Sequence, residues 1–170
     1  MDLQWAHTQL ALNATTITHL FETVSVEQAR VKPDPQSWSM LEVINHLYDE
    51  EREDFRARLD FLLHHPDNDW PPTDPAGWVT ARAYQQRDPH QSIANFSAER
   101  QQSLQWLQSL KAPDWTRSHR HPSGLVLQAG DLLASWVAHD LLHIRQLIEL
   151  RYHLTTQEAE PYSVLYAGDW

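Results

Sequence analysis

The stretch from Asp131 to Tyr152 limits the fold of this chain more than any other, because it contains neither proline nor glycine. Apolar side chains and two histidines recur along it at steps of three and four residues. These positions are Leu132, Trp136, His139, His143, Leu147 and Leu150. Such spacing is typical of the buried stripe of an amphipathic helix. The sequence therefore predicts a helix that carries two histidines on its core-facing side.

His139 and His143 are one helical turn apart, which places their Cβ atoms about 5–6 Å from each other on one face. Two imidazoles at that separation can bind one metal ion through their ring nitrogens. The alternative is a pair of hydrogen-bonded core histidines. Burying an imidazole without a partner costs about 1–3 kcal/mol, and a metal ion removes that cost. We therefore favour a metal site, which needs a further ligand.

Composition indicates one helical domain that spans residues 1–170. The 170 residues include no cysteine, which excludes a disulfide framework, a thiolate zinc site and a cysteine nucleophile. Only 4 glycines and no sustained alternating pattern are present, and this argues against sheets. A chain of this length buries enough surface to fold without a metal. The predicted fold class is all-α.

Charge and hydropathy argue against two classes of partner, nucleic acids and membranes. Lysine and arginine number 13 against 23 aspartates and glutamates, for a net charge of −10, which disfavours binding to a phosphate backbone. No run approaches the roughly 18 apolar residues of a membrane span, and the first residues do not look like a secretion signal. We expect a soluble cytoplasmic protein that binds neither nucleic acid nor membrane.

Three further helices are predicted at about 2–22, 39–63 and 88–112. Ser39 and Glu42 form a capping-box pattern at the start of the second helix, and Asp88 precedes Pro89 at the start of the third. The proline-rich residues 64–89 form a long crossover between these two helices. The prediction is a four-helix bundle, an architecture that commonly holds metal sites between facing helices.

Three other segments carry expectations of their own. The acidic run at residues 49–54 is expected on the solvent-facing side of the second helix. Residues 112–129 are expected to return the chain as a loop. The tail at residues 155–170 is expected to dock on the bundle, because it keeps the aromatic residues Tyr162, Tyr166 and Trp170.

His46, at the edge of the apolar stripe of the second helix, is the candidate third ligand. An ordinary surface histidine is the alternative. Three neutral imidazoles leave a coordination position open for water or substrate, as in catalytic zinc sites. Glu50, one turn beyond His46, and Glu42, one turn before it, could each fix the His46 ring, although both also fit a solvated helix face.

Two residues beside the histidine pair could support the site. Asp140 makes the motif H-D-x-x-H, whose aspartate is one methylene shorter than the basic glutamate of zinc proteases. It could orient a ligand or pair with a neighbouring helix, and a protease is disfavoured. Gln146 could hydrogen-bond a ligand or occupy an ordinary polar position. Asp140, Glu50 and Gln146 are thus candidate supporting catalytic residues.

The pair His119 and His121 lies in a polar segment beside Arg117 and Arg120. These side chains could reach an anionic substrate over the metal site. The alternative is that they are ordinary surface residues of a loop.

Two motifs carry a resemblance to a known family. They are W-S-x-x-E-V-x-x-H-L from Trp38 to Leu47, and A-H-D-x-x-H-x-x-Q from Ala138 to Gln146. Together they resemble the DinB-like superfamily, which includes the YfiT-type proteins. The resemblance implies a four-helix bundle that binds one divalent metal ion, zinc or nickel, through His46, His139 and His143. It also implies a homodimer.

The resemblance further implies a thiol-dependent S-transferase. In such enzymes the metal lowers the pKa of bacillithiol, mycothiol or a similar low-molecular-weight thiol cosubstrate, which attacks a small electrophile. An open site on three imidazoles can also activate water, so a hydrolase is the first alternative. The second alternative is a non-enzymatic, stress-related interaction module.

Overall fold

The computed structural model describes residues 1–65, 68–70, 72–121 and 124–168. Its helices and strands, in chain order, are α1 (Leu3–Glu22), α2 (Met40–Glu50), α3 (Arg56–His64), α4 (Pro75–Ala81), α5 (Pro89–Ser109), β1 (Ser118–Arg120), β2 (Val126–Gln128) and α6 (Ala129–Glu158). A π-helical turn at Glu51–Phe55 joins α2 to α3. These three elements form one long helical segment. With α1, α5 and α6 it makes the predicted four-helix bundle, which is confirmed.

The helices begin where local side chains satisfy their free backbone N–H groups. Ser39 accepts a hydrogen bond from the Glu42 N–H while the Glu42 carboxylate accepts one from the Ser39 N–H, which confirms the predicted capping box. Asp88 accepts from the Gln91 N–H at the start of α5. These local contacts explain why the starts of α2 and α5 were predictable.

The bundle core consists of two apolar clusters with a polar layer between them. α1 packs against α5 and α6, and α2 packs against α5. One cluster contains Leu10, Leu107 and Val137, and the other contains Ile17, Phe96 and Leu147. The buried polar residues that lie between these clusters along the helices are Asn13, Glu51, Arg100 and Asp140. His139 and His143 fall in the same interval of α6, so the candidate site lies in this layer.

The π-helical turn was not expected, because the sequence predicts one uninterrupted helix there. A π turn holds one more residue than an α turn, so it rotates the residues that follow. Phe55, its last residue, packs against Trp136 and His139 with ring centroids 5.8 and 4.9 Å apart. The turn therefore supplies a wall of the histidine site.

The acidic run at residues 49–54 was wrongly expected to face solvent. Asp49, Glu50, Glu51 and Asp54 are all buried. Asp49 accepts hydrogen bonds from Tyr84 and Arg52. Arg58 forms an ion pair with Asp54, and Arg100 forms one with Glu51. The crossover and α5 both pack on this face. The carboxylates are therefore covered by protein, and arginine side chains balance their negative charge in place of water.

Residues 112–129 are not wholly a loop, since they include a β-hairpin. Strands β1 and β2 pair antiparallel, with His119 opposite Leu127. The composition argued against sheets, and the bundle is indeed helical, but the composition did not predict the two-stranded hairpin of β1 and β2. Within the crossover, α4 begins with Asp74 accepting from the Gly77 N–H.

The aromatic side chains Tyr162 and Tyr166 of the tail are exposed and are not packed on the bundle as expected. Tyr162, Leu165 and Tyr166 are 81, 82 and 104% exposed. Trp170 lies outside the described residues. The helix α6 runs on to Glu158, so the first residues of the expected tail belong to that helix. Among the described helices, none is long and apolar enough to span a membrane.

Candidate metal centre

The structure brings His46, His139 and His143 together inside the bundle. His46 comes from α2, while His139 and His143 come from successive turns of α6. One ring nitrogen of each residue lies within 4.8 Å of the other two. His46 is 6% exposed, so the alternative of a surface histidine is wrong.

The spacing of these nitrogens suits one shared ion. The Nε2 atoms of His139 and His143 are 3.2 Å apart. Two nitrogens bound to zinc at about 2.0–2.1 Å with a tetrahedral angle would be roughly 3.3 Å apart. The ring centroid of His46 lies 5.5 Å from that of His139 and 4.8 Å from that of His143.

Burial keeps these imidazoles in the neutral form that binds metals. Burial first, and then the neighbouring rings of His143 and His139, lower the pKa of His46 to about 2. Burial and His143 lower the pKa of His139 to about 3. The pKa of His143 is also lowered by burial, against the opposing effect of its hydrogen bond to Gln146. Neutral rings present lone pairs rather than protons to a cation.

One ring of the cluster lacks a partner. The Nδ1 atom of His46 is buried and makes no hydrogen bond to the described residues. Since buried polar groups are nearly always paired, a ring in this position is better explained as a ligand than as a core histidine. The donor set of three imidazoles fits a divalent ion such as zinc or nickel.

Gln146 orients one of the three rings. Its Oε1 atom lies 2.8 Å from His143 Nδ1. A carboxamide oxygen accepts, so Nδ1 carries the proton and the lone pair of His143 is on Nε2, the atom that faces His139. Of the two interpretations of Gln146, the structure favours the first, because the amide is hydrogen-bonded to the candidate ligand His143.

Two aromatic side chains enclose the histidines. The ring centroid of Trp38, which precedes α2, lies 4.8 Å from that of His46. Its ring is also nearly parallel to that of His143, with centroids 6.5 Å apart. Phe55 covers His139 from the opposite helix segment. Neither side chain was assigned to the site from the sequence, and Phe55 in particular could not be placed because the π turn was not predicted.

A cleft of about 690 Å³ opens beside the site. His143 and Gln146 line it, so it reaches the histidine cluster from the α6 side. Its other walls are formed by the segment before α2 and by the next turns of α6, including Pro33, Ser37, Trp38, Glu149, Leu150 and His153. The volume falls within the range of about 300–1,000 Å³ that is usual for small-molecule pockets.

Asp140 pairs with a neighbouring helix, which is one of its two expected roles. Its two carboxylate oxygens accept hydrogen bonds of 2.7 and 2.8 Å from Arg100 of α5. Arg100 also donates to Glu51, whose other oxygen accepts from the Trp136 indole. Asp140 makes no hydrogen bond to a ring of the cluster among the described residues. Its contacts are those of a buried ion network that joins three helices.

Neither glutamate that could fix His46 does so. Glu42 is engaged by the Ser39 N–H and by Lys32 at 2.8 Å. Burial, together with the negative charges of Asp54 and Asp49, raises the pKa of Glu50 to about 8, while Arg58 opposes this. These charges lie outside the histidine cluster. Among the described residues, neither Glu50 nor Glu42 forms a hydrogen bond with His46, so the prediction that one of them fixes the His46 ring is wrong.

His119 and His121 are not over the site. The His119 ring stacks on Trp70 with centroids 5.6 Å apart and meets Phe61 edge-on at 5.2 Å. His121 meets Trp70 edge-on. The hairpin thus packs its histidines on α3 and the crossover, and the expectation of an anion contact over the metal is wrong.

Comparison with known proteins identifies the family. The family model of the DinB superfamily matches residues 9–147, which include both histidine motifs. YfiT from Bacillus subtilis, described as a probable metal-dependent hydrolase with an unusual four-helix bundle topology, has a similar structure with a TM-score of 0.79. The two chains are 19% identical, and the match covers 91% of this chain and 88% of that chain. No protein of curated function has a detectably similar sequence. Because the family model spans most of the chain, this protein belongs to the DinB superfamily.

Proposed function

We propose that the protein is a metal-dependent enzyme that acts on a small molecule bound in the cleft beside His143. The observation that carries this proposal is the convergence of three neutral imidazoles within 4.8 Å of one another. His46 is buried, His139 and His143 are partly buried, and His143 lines the cleft. Structural metal sites usually offer four protein ligands, whereas catalytic sites offer three and keep one position open. The described residues offer three.

The chain's own residues have separable roles in this proposal. His46, His139 and His143 would hold one divalent ion, which when bound supplies Lewis acidity and lowers the pKa of a coordinated nucleophile. Gln146 fixes the tautomer of His143. Trp38 and Phe55 exclude water from the ring faces that they cover. Pro33, Leu150 and Trp38 bind the apolar part of the substrate.

We further propose that the nucleophile is the thiol of a low-molecular-weight cosubstrate and that the reaction is S-transfer to a small electrophile. No carboxylate is hydrogen-bonded to any of the three rings among the described residues, so a general base is not at hand. A thiol, with a pKa of about 8.5, needs less help to ionise than water, with a pKa of about 15.7. The cleft is large enough to admit two small reactants.

Hydrolysis is the second candidate function. The similarity of the fold to YfiT, which is described as a probable metal-dependent hydrolase, favours it. Three neutral imidazoles around zinc can activate water without a carboxylate base, as they do in carbonic anhydrase. The two candidates differ in whether turnover requires an added thiol.

Metal analysis and a substrate panel test the proposal. We expect about one divalent ion per chain after loading with zinc or nickel, and a loss of that ion in the double variant His139→Ala and His143→Ala. His19→Ala, an exposed histidine on α1, is the matched control and should keep the ion. Circular dichroism should show that both variants keep the helical fold, because the two apolar clusters of the core do not include the replaced histidines.

The loaded protein is then assayed with esters, amides and alkylating electrophiles, each with and without a thiol. Turnover that requires the thiol supports S-transfer, and turnover without it supports hydrolysis. If the double variant binds metal as well as the unchanged protein does, the site assignment is wrong. Metal binding without turnover in any arm would favour the interaction module.

Two other expectations stay predictions. They are the homodimer and the cytoplasmic location. The apolar side chains of Leu12, Leu141 and Leu142 are exposed on α1 and α6, which is compatible with a partner surface. Light scattering coupled to gel filtration would give the mass of the assembly, and a mass of one chain would contradict the homodimer.

A further inference from the structure

The segment before α2 forms one wall of the cleft and is neither helix nor strand. Residues 31–38, which we call the wall segment, connect the 3₁₀ turn Gln28–Arg30 to Ser39, the N-cap of α2. Four of its side chains line the cleft, namely Pro33, Gln36, Ser37 and Trp38. Trp38 is also close to the rings of two candidate metal ligands. The position of the wall segment therefore sets the shape of the cleft beside the candidate metal centre.

One side chain of the crossover binds both ends of the wall segment. Gln85 Nε2 donates a hydrogen bond of 2.7 Å to the Arg30 carbonyl oxygen, and Gln85 Oε1 accepts one of 2.7 Å from the Ser39 hydroxyl. Because both bonds are made by one carboxamide group, the two ends of the segment are held close together, as in a compact surface loop. A loop that is already ordered loses less conformational entropy when a ligand binds to it.

The residues on either side of Gln85 are anchored to α2. Tyr84 is fully buried, and its hydroxyl donates to Asp49 at 2.5 Å. Arg87 donates to the side-chain oxygen of Asn45 at 2.9 Å. Gln85 is thus held in place by the helix that also carries one of the three candidate ligands.

A local turn and an ion pair add to the order of the wall segment. The Asp34 carboxylate accepts hydrogen bonds of 2.8 and 3.0 Å from the backbone N–H groups of Gln36 and Ser37. Lys32 pairs with Glu42 of α2 at 2.8 Å. These contacts hold the start and the middle of the segment. In the part of the chain that the structure describes, only the crossover carboxamide bonds to both of its ends.

We infer that Gln85 is a positioning residue for the cleft. By binding both ends of the wall segment, it keeps Trp38 beside His46 and His143 and so determines how tightly the cleft binds the apolar body of a ligand. The inference rests on the proposed function, because it concerns the same cleft. It also gives the long crossover a function, since connections of that length inside a domain often have one. The effect is on the ligand and not on the metal ion, whose candidate ligands lie on α2 and α6.

Hydrogen exchange tests this role without a ligand. Gln85→Met keeps the length of the side chain and removes both hydrogen bonds, and Gln86→Met, at the exposed neighbouring position, is the matched control. We expect the backbone amides within residues 31–38 to exchange about tenfold faster in Gln85→Met, because two hydrogen bonds are lost, while those of α6 are unchanged. Equal exchange of the wall segment in the two variants, or faster exchange throughout the protein, would overturn the inference.

Two thiols of different size separate the wall from the metal ion. Phenylmethanethiol and ethanethiol are titrated into the zinc-loaded protein at pH 8 by calorimetry. Both have a sulfur that binds zinc, and only phenylmethanethiol has a ring that can lie on the wall segment. We expect Gln85→Met to weaken the binding of phenylmethanethiol by about tenfold and that of ethanethiol by less than about twofold. An equal loss for both thiols, or no loss for either, would contradict a positioning role.

A double-mutant cycle tests whether Gln85 acts through Trp38. In the Trp38→Ala background, the change Gln85→Met should alter the affinity for phenylmethanethiol by less than about twofold, because the effects of coupled residues are not additive. A full tenfold loss in that background would mean that Gln85 does not act through the indole.

The zinc content of each sample is measured alongside. A protein that binds no zinc would contradict the proposed function, while hydrogen exchange of the wall segment in the metal-free protein would still decide the role of Gln85. A protein that binds zinc and shows no local effect of Gln85→Met would overturn the inference and leave the metal centre in place.

Discussion

Gln146 Oε1 lies 2.8 Å from His143 Nδ1, and this contact aims the other nitrogen of the ring at His139. The two residues are less than one turn apart on α6, so the helix itself brings them together. A local sequence pattern thus decides which nitrogen of His143 is available to a metal ion.

We predict that Gln146→Leu lowers zinc affinity by roughly 10–100-fold, because the His143 ring loses the acceptor that fixes its tautomer and orientation. Gln146→Glu should restore most of the affinity, since a carboxylate accepts the same hydrogen bond. Competition with a chromogenic chelator measures the change. Gln157→Leu, at an exposed position of α6, is the control, and equal affinities of the two Leu variants would contradict the role given to Gln146.

Burial of His46 should cost the metal-free protein stability as the pH falls below 6.5. Because burial lowers the pKa of His46 from 6.5 to about 2, the unfolded chain binds a proton below pH 6.5 that the folded chain does not. The stability that this histidine contributes is therefore complete above pH 6.5 and decreases toward pH 2, by up to about 1.4 kcal/mol per pH unit.

Urea unfolding with a chelator present, from pH 8 to pH 4.5, measures this slope. His46→Leu should give a shallower dependence on pH below 6.5, since one fewer proton is taken up on unfolding. Parallel curves for His46→Leu and the unchanged protein would show that the ring is not buried in the neutral form.

Glu50→Gln should stabilise the protein at pH 8 and have little effect at pH 4. Burial raises the pKa of Glu50 from 4.5 to about 8, so the unfolded chain releases its proton at a lower pH than the folded chain. Stability is therefore lost as the pH rises from 4.5 to 8, by an amount on the order of a few kcal/mol. A glutamine removes that loss.

Thermal unfolding at the two pH values tests this sign. Glu158→Gln, at an exposed position, should change the melting temperature little at either pH. A Glu50→Gln variant that is destabilised equally at pH 8 and pH 4 would mean that the carboxylate makes contacts on which the fold depends.

Asp140 should prove to be a structural residue. Asp140→Ala leaves the buried Arg100 with one carboxylate fewer, and breaking a buried pair of this kind costs about 3–5 kcal/mol. The zinc content of the folded fraction should stay the same, because the ligands are elsewhere. Chemical denaturation and elemental analysis measure the two effects.

A triple variant that replaces the whole ion network should recover part of that loss. It combines Glu51→Gln, Arg100→Met and Asp140→Leu, so that no buried charge is left alone and the Trp136 indole keeps an acceptor. Full stability of Asp140→Ala together with loss of turnover would assign Asp140 to the chemistry instead.

Much of the site followed from local sequence. The step of four between His139 and His143, the capping box at Ser39 and the proline after Asp88 are each readable within one or two turns, because helix geometry relates residues that are near in the chain. The three histidines could therefore be named, along with Gln146. Both motifs lie within residues 9–147, which the family model matches.

The sequence by itself determined the bundle helices and the face of α6 that carries the histidines, since both depend on local periodicity. Only the tertiary structure decided that Asp140 pairs with Arg100, that the acidic run is buried and that Phe55 covers His139. Arg100 and Asp140 are 40 residues apart in the chain. The packing of the whole core decides which helices are in contact and how the π turn rotates the residues that follow it. A local sequence pattern therefore does not predict these contacts.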